Sequence, residues 1–189
     1  MKLTVESSTM QPARYLMQNL AKFANADRYL FTPQDLRCLF PSMSDAAFKT
    51  LLSRSARKDR LVRICRGLYL YEPAAQSDGL LLFHAAARLR ADGFNYISLE
   101  TVLSDAGVIS QVPINSIFIM SSGRTSVIDC GKWGAIHFVH TNQKPENIMA
   151  ELAYDQRCKL WRASVTQALR DMRATQRNSD LIDWSMVNF

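Results

Sequence analysis

The sequence predicts an α+β chain: three helices and a β-hairpin in residues 1–75, then a smaller mixed domain, residues 76–189, with an antiparallel sheet and C-terminal helices. Three observations carry this. Apolar residues recur at helical spacing as far as residue 57, the pattern switches to short β-branched runs at residue 61, and the positive charge is concentrated where the two meet.

The first helix is predicted over residues 10–24, behind Ser8 and Thr9, from the stripe of Tyr15, Leu16, Leu20 and Phe23 that follows Pro12. Thr32 then Pro33 is a cap followed by a first-turn proline, opening a short helix through Leu36 and Leu39 that must stop before Pro41. Residues 42–44 make a turn ending in the cap Ser44. From there Phe48, Leu51, Leu52, Ser55 and Ala56 keep one side of a third helix apolar or small to about residue 57. The run LVRIC, the turn Arg66-Gly67 and the run LYLY then read as a hairpin. Helix, helix, helix, hairpin is the element order of a winged helix-turn-helix. Residues 72–77 (EPAAQS) are short, proline-containing and weakly structured, which places a domain boundary there.

Beyond the boundary, Asp78 is expected to cap a helix through Leu81, Ala85 and Leu89, and residues 98–106 to form another, closed by Gly107. Residues 116–121, 125–130 and 133–140 read as strands of a small antiparallel meander, with Ile117, Ile119, Ile128, Ile136 and Phe138 in its core. Pro145 opens helical sequence expected to continue, with a break near Asp155, through Trp161, Val165, Leu169 and Met172.

Hydrophobic residues make up 48% of the chain and charged residues 21%, the balance of an ordinary globular protein. The apolar run at residues 80–83 is too short to span a bilayer and the first ten residues lack a secretory apolar segment, so a cytoplasmic protein is expected, without a membrane partner. Cys38, Cys65, Cys130 and Cys158 are far apart and read as buried small hydrophobes. No metal, cofactor or catalytic residue is expected: local spacing shows no Ser-His-acid or Cys-His arrangement, and seven glycines build no phosphate loop. His137 and His140, three apart on a strand, point to opposite faces. His84, among apolar neighbours on a helix, reads as an interior histidine.

Charge separates the halves. Residues 1–75 hold 12 Lys and Arg against 6 Asp and Glu, residues 76–189 hold 11 against 11, and the formal excess of +6 therefore lies in the first. Seven of those cations fall between residues 49 and 66, opposed there by Asp59 alone. A patch this dense favours polyanions. With Phe48 at zero and about 100° per residue, Lys49, Thr50, Ser53, Arg54 and Arg57 fall on the arc opposite the apolar face. Together with Ser44, Lys58, Arg60 and the hairpin cations Arg63 and Arg66, they form the expected double-stranded-DNA-binding set.

The hairpin RICRGLYLY resembles the wing of AbiE-type antitoxins, in which a Gly-aliphatic-Tyr step follows the turn. YISLETVL, Gly107-Val108-Ile109, IFIM with Gly123-Arg124, and IHFVH then follow the order of that family's second domain, so the resemblance spans residues 61–140. The chain departs from the family in its very basic third helix and in its ending, DLIDW. The resemblance implies a non-enzymatic repressor of its own operon acting through the first domain. The modest surface of a single winged helix adds the expectation of two copies, a dimer on DNA at repeated half-sites in its own promoter. The resemblance further implies an antitoxin neutralising a nucleotidyltransferase-like toxin encoded beside it, with or without direct contact. Two other readings stay open on the residues alone: a winged-helix transcription regulator whose second domain senses a ligand or dimerises, and an enzyme with an unrecognised site in that domain.

Overall fold

A computed structural model describes residues 11–58, 61–110 and 115–187 of the chain. It is α+β, and it divides into two compact units, Met1–Ser77 and Asp78–Phe189.

In the first unit, helix α1 (Pro12–Phe23) buries Leu16 and Leu20 completely. A two-residue strand β1 (Leu30–Phe31) leads into helix α2 (Pro33–Arg37), which opens on a reciprocal capping box: Thr32 Oγ1 accepts the Asp35 N–H, and the Asp35 carboxylate accepts the Thr32 N–H at 2.7 Å. Such a box satisfies two of the donors a helix start leaves open. Helix α3 (Asp45–Lys58) follows Ser44, whose hydroxyl accepts the Ala47 N–H. Strands β2 (Leu61–Cys65) and β3 (Leu68–Tyr71) form the expected hairpin. β1 adds to the far edge of β3, pairing Leu30 with Leu70 and Phe31 with Tyr69, so the sheet order is β1-β3-β2. Helices and sheet close over Leu16, Leu20, Phe31, Leu36, Phe48, Leu52 and Leu61. Each such side chain contributes about 1.5–3 kcal/mol by leaving water. Residues Glu72–Ala74, expected to be weakly structured, form a 3-10 turn. The first-helix start at Ser8, Thr9 and Met10 lies outside the described residues.

The second unit is the larger of the two, not the smaller. Helix α4 (Leu81–Leu89), strand β4 (Asn95–Ile97) and helix α5 (Leu99–Asp105) precede strands β5 (Ser116–Ser121), β6 (Ser126–Asp129) and β7 (Ala135–His140). Asp78 does not cap α4: its carboxylate accepts the Leu80 N–H in a turn before the helix. A short helix α6 (Pro145–Ile148), strands β8 (Leu152–Asp155) and β9 (Leu160–Ala163) and helix α7 (Val165–Ala174) complete the unit.

Its sheet is mixed, in the order β6-β7-β5-β4-β9-β8, and corrects the expected antiparallel meander. The β6–β7 hairpin sets β7 against β5 in parallel, Ile117 beside Ile136 and Ile119 beside Phe138. Residues 117–121 of β5 are all buried, as in a strand covered on both faces. Residues 152–163, expected to be helical, are a β-hairpin whose second strand pairs in parallel with β4, Tyr96 beside Trp161. Two local forces favour the hairpin. The Asp155 carboxylate accepts the N–H groups of Arg157 and Cys158, and Lys159 takes a φ of 57°, which turns the chain back. Of the helical sequence predicted from Pro145, α6, a 3-10 turn at Met149–Glu151 and α7 remain, and a further 3-10 turn forms at Trp184–Met186.

Arg90, at the end of α4, ties helix to sheet. Its guanidinium donates to Ser121 Oγ, Ser126 Oγ and the Arg124 carbonyl, and lies 3.9 Å from the Phe138 ring centre. Among the described residues, no helix is long and apolar enough to cross a membrane.

Candidate nucleic-acid interface

Helix α3 displays the predicted residues on its exposed side. Lys49, Thr50, Ser53, Arg54 and Arg57 are exposed, while Phe48, Leu51, Leu52 and Ser55 are buried beneath them. Ser44 is exposed and spends its hydroxyl on the helix start. Arg63 is exposed on β2 and Arg66 is exposed at the hairpin turn beside Gly67, whose φ of 82° a side chain disfavours. The Arg63 Nε–H donates to the Cys65 carbonyl at 3.3 Å, which aims the guanidinium along the hairpin. Arg60 and the side chain of Lys58 lie outside the described residues.

Two grooves flank α3. On the hairpin side, Lys49 and Ser53 meet Arg63, Arg66 and Gly67 around a groove of about 650 Å³ floored by Phe48, Leu52 and Tyr69. On the opposite side, Thr50, Arg54 and Arg57 border a second groove against Gln11, Pro12 and Ala13. Cations from two separate elements thus converge on the first, and a helix surface rich in hydroxyls and guanidinium groups separates the two.

Sequence reasoning missed Arg37. Its guanidinium donates to the carbonyls of Phe40 and Met43, pairs with the Asp45 carboxylate at 3.3 Å and lies 5.2 Å from the Phe48 ring centre. One side chain therefore holds the turn between α2 and α3 and the first turn of α3 together. The signal was in the sequence, an Arg in the last turn of one helix and an Asp opening the next, but no periodicity marks it. Arg37→Ala should lower stability by about 2–3 kcal/mol, since hydrogen bonds from a charged donor are lost. Arg37→Lys should fail to restore it, because an ammonium cannot reproduce the planar fork. A urea midpoint unchanged in Arg37→Ala would contradict this clamp.

Ser55, completely buried on the inner side of α3, has no hydrogen-bond partner for its hydroxyl among the described residues.

Besides the ion pairs of Arg162 with Asp105 and Asp155 and of Arg170 with Glu151, two clusters of ionisable side chains stand in the second unit. The carboxylate of Asp171 accepts hydrogen bonds from Tyr96 Oη at 3.2 Å, Ser98 Oγ at 2.7 Å and Gln167 Nε2 at 2.8 Å, and all four residues are buried. Burial pushes the Asp171 carboxyl above the usual carboxylate range against the pull of these donors, and burial beside Asp171 raises the Tyr96 phenol. In the other cluster, Arg177 donates to Glu100 and stands 4.7 Å from the Phe118 ring, on which His137 stacks at 4.5 Å. Burial, with the nearby Arg177 charge, holds the His137 imidazole below its ordinary value. His140 bonds instead to the Gly123 carbonyl and to Asn142. His84 is buried and bonds to the Arg157 carbonyl at 2.6 Å. Burial pushes the Cys158 thiol up to about 11, and Cys65 and Cys130 are buried too, whereas Cys38, expected inside, is exposed where α2 ends.

The Asp171 network has a pH consequence. A carboxyl whose folded value is raised binds its proton more tightly in the folded state, so this group's contribution falls as pH rises from the unfolded value of about 3.9 through the folded one. Asp171→Asn, which keeps an acceptor for Tyr96 and Gln167 and donates to Ser98, should match or exceed the wild-type melting temperature at neutral pH and lose that advantage as pH falls. Asp171→Ala should cost about 2–4 kcal/mol by orphaning three buried donors. Equal melting curves for all three proteins would sink the assignment.

No protein-family model matches the chain, and no curated protein matches it. Among solved structures, it is similar to the RV2827C protein from Mycobacterium tuberculosis, with a TM-score of 0.55 at 14% identity, over 89% of this chain and 64% of that one. The chain thus spans less than two thirds of that protein's length, and at this identity the likeness speaks to the fold alone.

Proposed function

We propose that the chain is a non-enzymatic DNA-binding transcription regulator, its first unit a winged helix-turn-helix with α3 as recognition helix and the β2–β3 hairpin as wing. The observation that carries this reading is the convergence of Lys49 and Ser53 from α3 with Arg63 and Arg66 from the hairpin around one groove. A helix that presents cations and hydroxyls outward fits the major groove, and a basic hairpin beside it fits the adjoining backbone. The capping box and the Arg37 clamp support the reading, since the first fixes the start of α2 and the second the turn between α2 and α3.

The reading extends to autorepression and to the antitoxin role in an AbiE-type pair, on the resemblance over residues 61–140. A module of this size contacts few base pairs, so repression at one promoter calls for two copies on repeated half-sites.

Electrophoretic retardation of the DNA upstream of the chain's own reading frame tests DNA binding, with a shifted complex expected and an unshifted duplex overturning it. Co-expression with a nucleotidyltransferase-like protein from the neighbouring reading frame tests the antitoxin role: restored growth supports it, and unrelieved toxicity refutes it.

A further inference from the structure

We infer that α3 divides its labour by position around the helix: Thr50, Ser53 and Arg57 read base edges, while Lys49 and Arg54 grip the two backbones that wall the groove. This rests on the proposed DNA-binding reading and adds to it the chemistry of the sequence recognised.

Positions on the helix follow from about 100° per residue. Taking the buried Phe48 as zero, Arg57, Thr50 and Ser53 lie at about 180°, 200° and 140°, along the crest most distant from the core. Lys49 at about 100° and Arg54 at about 240° flank that crest on either side. The two flanks face different grooves: Lys49 lines the hairpin-side groove with Ser53, Arg63 and Arg66, and Arg54 lines the opposite groove with Thr50 and Arg57, so the crest residues border both. A helix lying in a major groove presents its crest to the base edges and its flanks to the two phosphate walls. The long cations on the flanks suit the walls, and the short hydroxyls on the crest allow the backbone of α3 to come close.

The crest also has a hydrogen-bond polarity. Thr50 Oγ1 donates its proton to the Ala46 carbonyl at 2.9 Å. The hydroxyl is thereby left as an acceptor toward the DNA, which suits the exocyclic amino group of adenine or cytosine. Arg57 offers donors only and suits the O6 and N7 acceptors of guanine. Seven residues separate the two, about 10.5 Å along the axis, or about three base steps. The half-site is therefore one in which an amino-bearing base and a guanine stand about three base pairs apart.

The test selects duplexes retained by the full-length protein from a random-sequence pool and sequences them. Wild type should enrich one motif containing both features. Thr50→Val, which keeps the shape and loses the acceptor, should erase the preference at the amino-bearing position. Arg57→Ala should erase it at guanine, reducing the ratio of specific to random-duplex affinity about 5- to 150-fold. Lys49→Ala and Arg54→Ala should enrich the same motif as wild type while binding all duplexes evenly more weakly, each flattening the log-log salt slope by about 0.9. These positions are exposed, and unchanged thermal melts verify folding. An Arg54→Ala protein that loses a motif position, or Thr50→Val and Arg57→Ala proteins that keep the whole motif, would overturn the division. Retention of DNA without any enriched motif overturns it too, but leaves DNA binding standing; no retained DNA removes both.

Discussion

Affinity for the upstream duplex should fall about 150-fold as salt rises from about 50 to 200 mM, with a log-log slope near −3.6 for one copy of the chain. The figure comes from counting. Each neutralised phosphate contributes about 0.9 to the slope, and four described cations assigned to the backbone, Lys49, Arg54, Arg63 and Arg66, stand around α3 and the hairpin. Joint replacement of Lys49, Arg63 and Arg66 by alanine should remove about 2.7 from that slope, since three of the four cations are lost. It should also lower affinity alike for the upstream and random duplexes, because contacts to the backbone carry no sequence information. Fluorescence anisotropy across a salt series measures both. A slope near zero in the wild type, or one that the triple variant leaves unchanged, would show that the charged face does not meet phosphate. Lys49, Arg63 and Arg66 hold no salt bridges among the described residues, so their removal should leave the melting temperature nearly unchanged.

The division of the chain by charge was legible because ionic excess needs no structure to be counted, and α1, α2, α3 and the hairpin were legible because each has a local signature. Thr32-Pro33 announces a helix start, and the outward arc of α3 follows from period alone. What escaped the sequence is what tertiary neighbours decide. β1 is two residues long, too short for any alternation to register, and exists because Leu30 and Phe31 complete the edge of β3. Residues 152–163 carry apolar spacing compatible with a helix, yet the open edge of β4 and the turn at Asp155–Lys159 draw them into the sheet. β5 and β7 lie parallel because the β6–β7 hairpin meets β5 through β7, an orientation that no local sequence pattern encodes. In the candidate interface, the facing of Lys49, Thr50, Ser53, Arg54 and Arg57 was readable, whereas their partition between two grooves and the clamp at Arg37 required the packing of α1, α2 and the hairpin around α3.

Gly134→Ala should destabilise the second unit by more than about 4 kcal/mol, a loss beyond the ordinary range for a point substitution. Gly134 has φ 111° and ψ −150°, a region that essentially glycine alone enters. Steric closure is as severe as the torsion. A Cβ at this position would sit 1.8 Å from the carbonyl oxygen of Asn115, and the obstacle is backbone, which no rotamer change removes. That same carbonyl accepts the Ala135 N–H at 2.9 Å, next to the first pair of the parallel β5–β7 ladder, and the Gly134 carbonyl accepts the Cys130 N–H at 2.8 Å. Moving Asn115 aside would therefore unpair the start of the two strands that join the β6 edge to the rest of the sheet. Gly131, three residues earlier, supplies the control: its φ of 60° is also left-handed, but a Cβ there meets nothing within 4 Å. Gly131→Ala should cost only about 1–2 kcal/mol, the penalty of the backbone conformation by itself. Thermal unfolding followed by circular dichroism separates the cases, with a fall of about 2–4 °C per kcal/mol in a chain of this length. If Gly134→Ala melted with Gly131→Ala rather than far below it, the close approach of Gly134 to Asn115 would not be what joins β5 to β7.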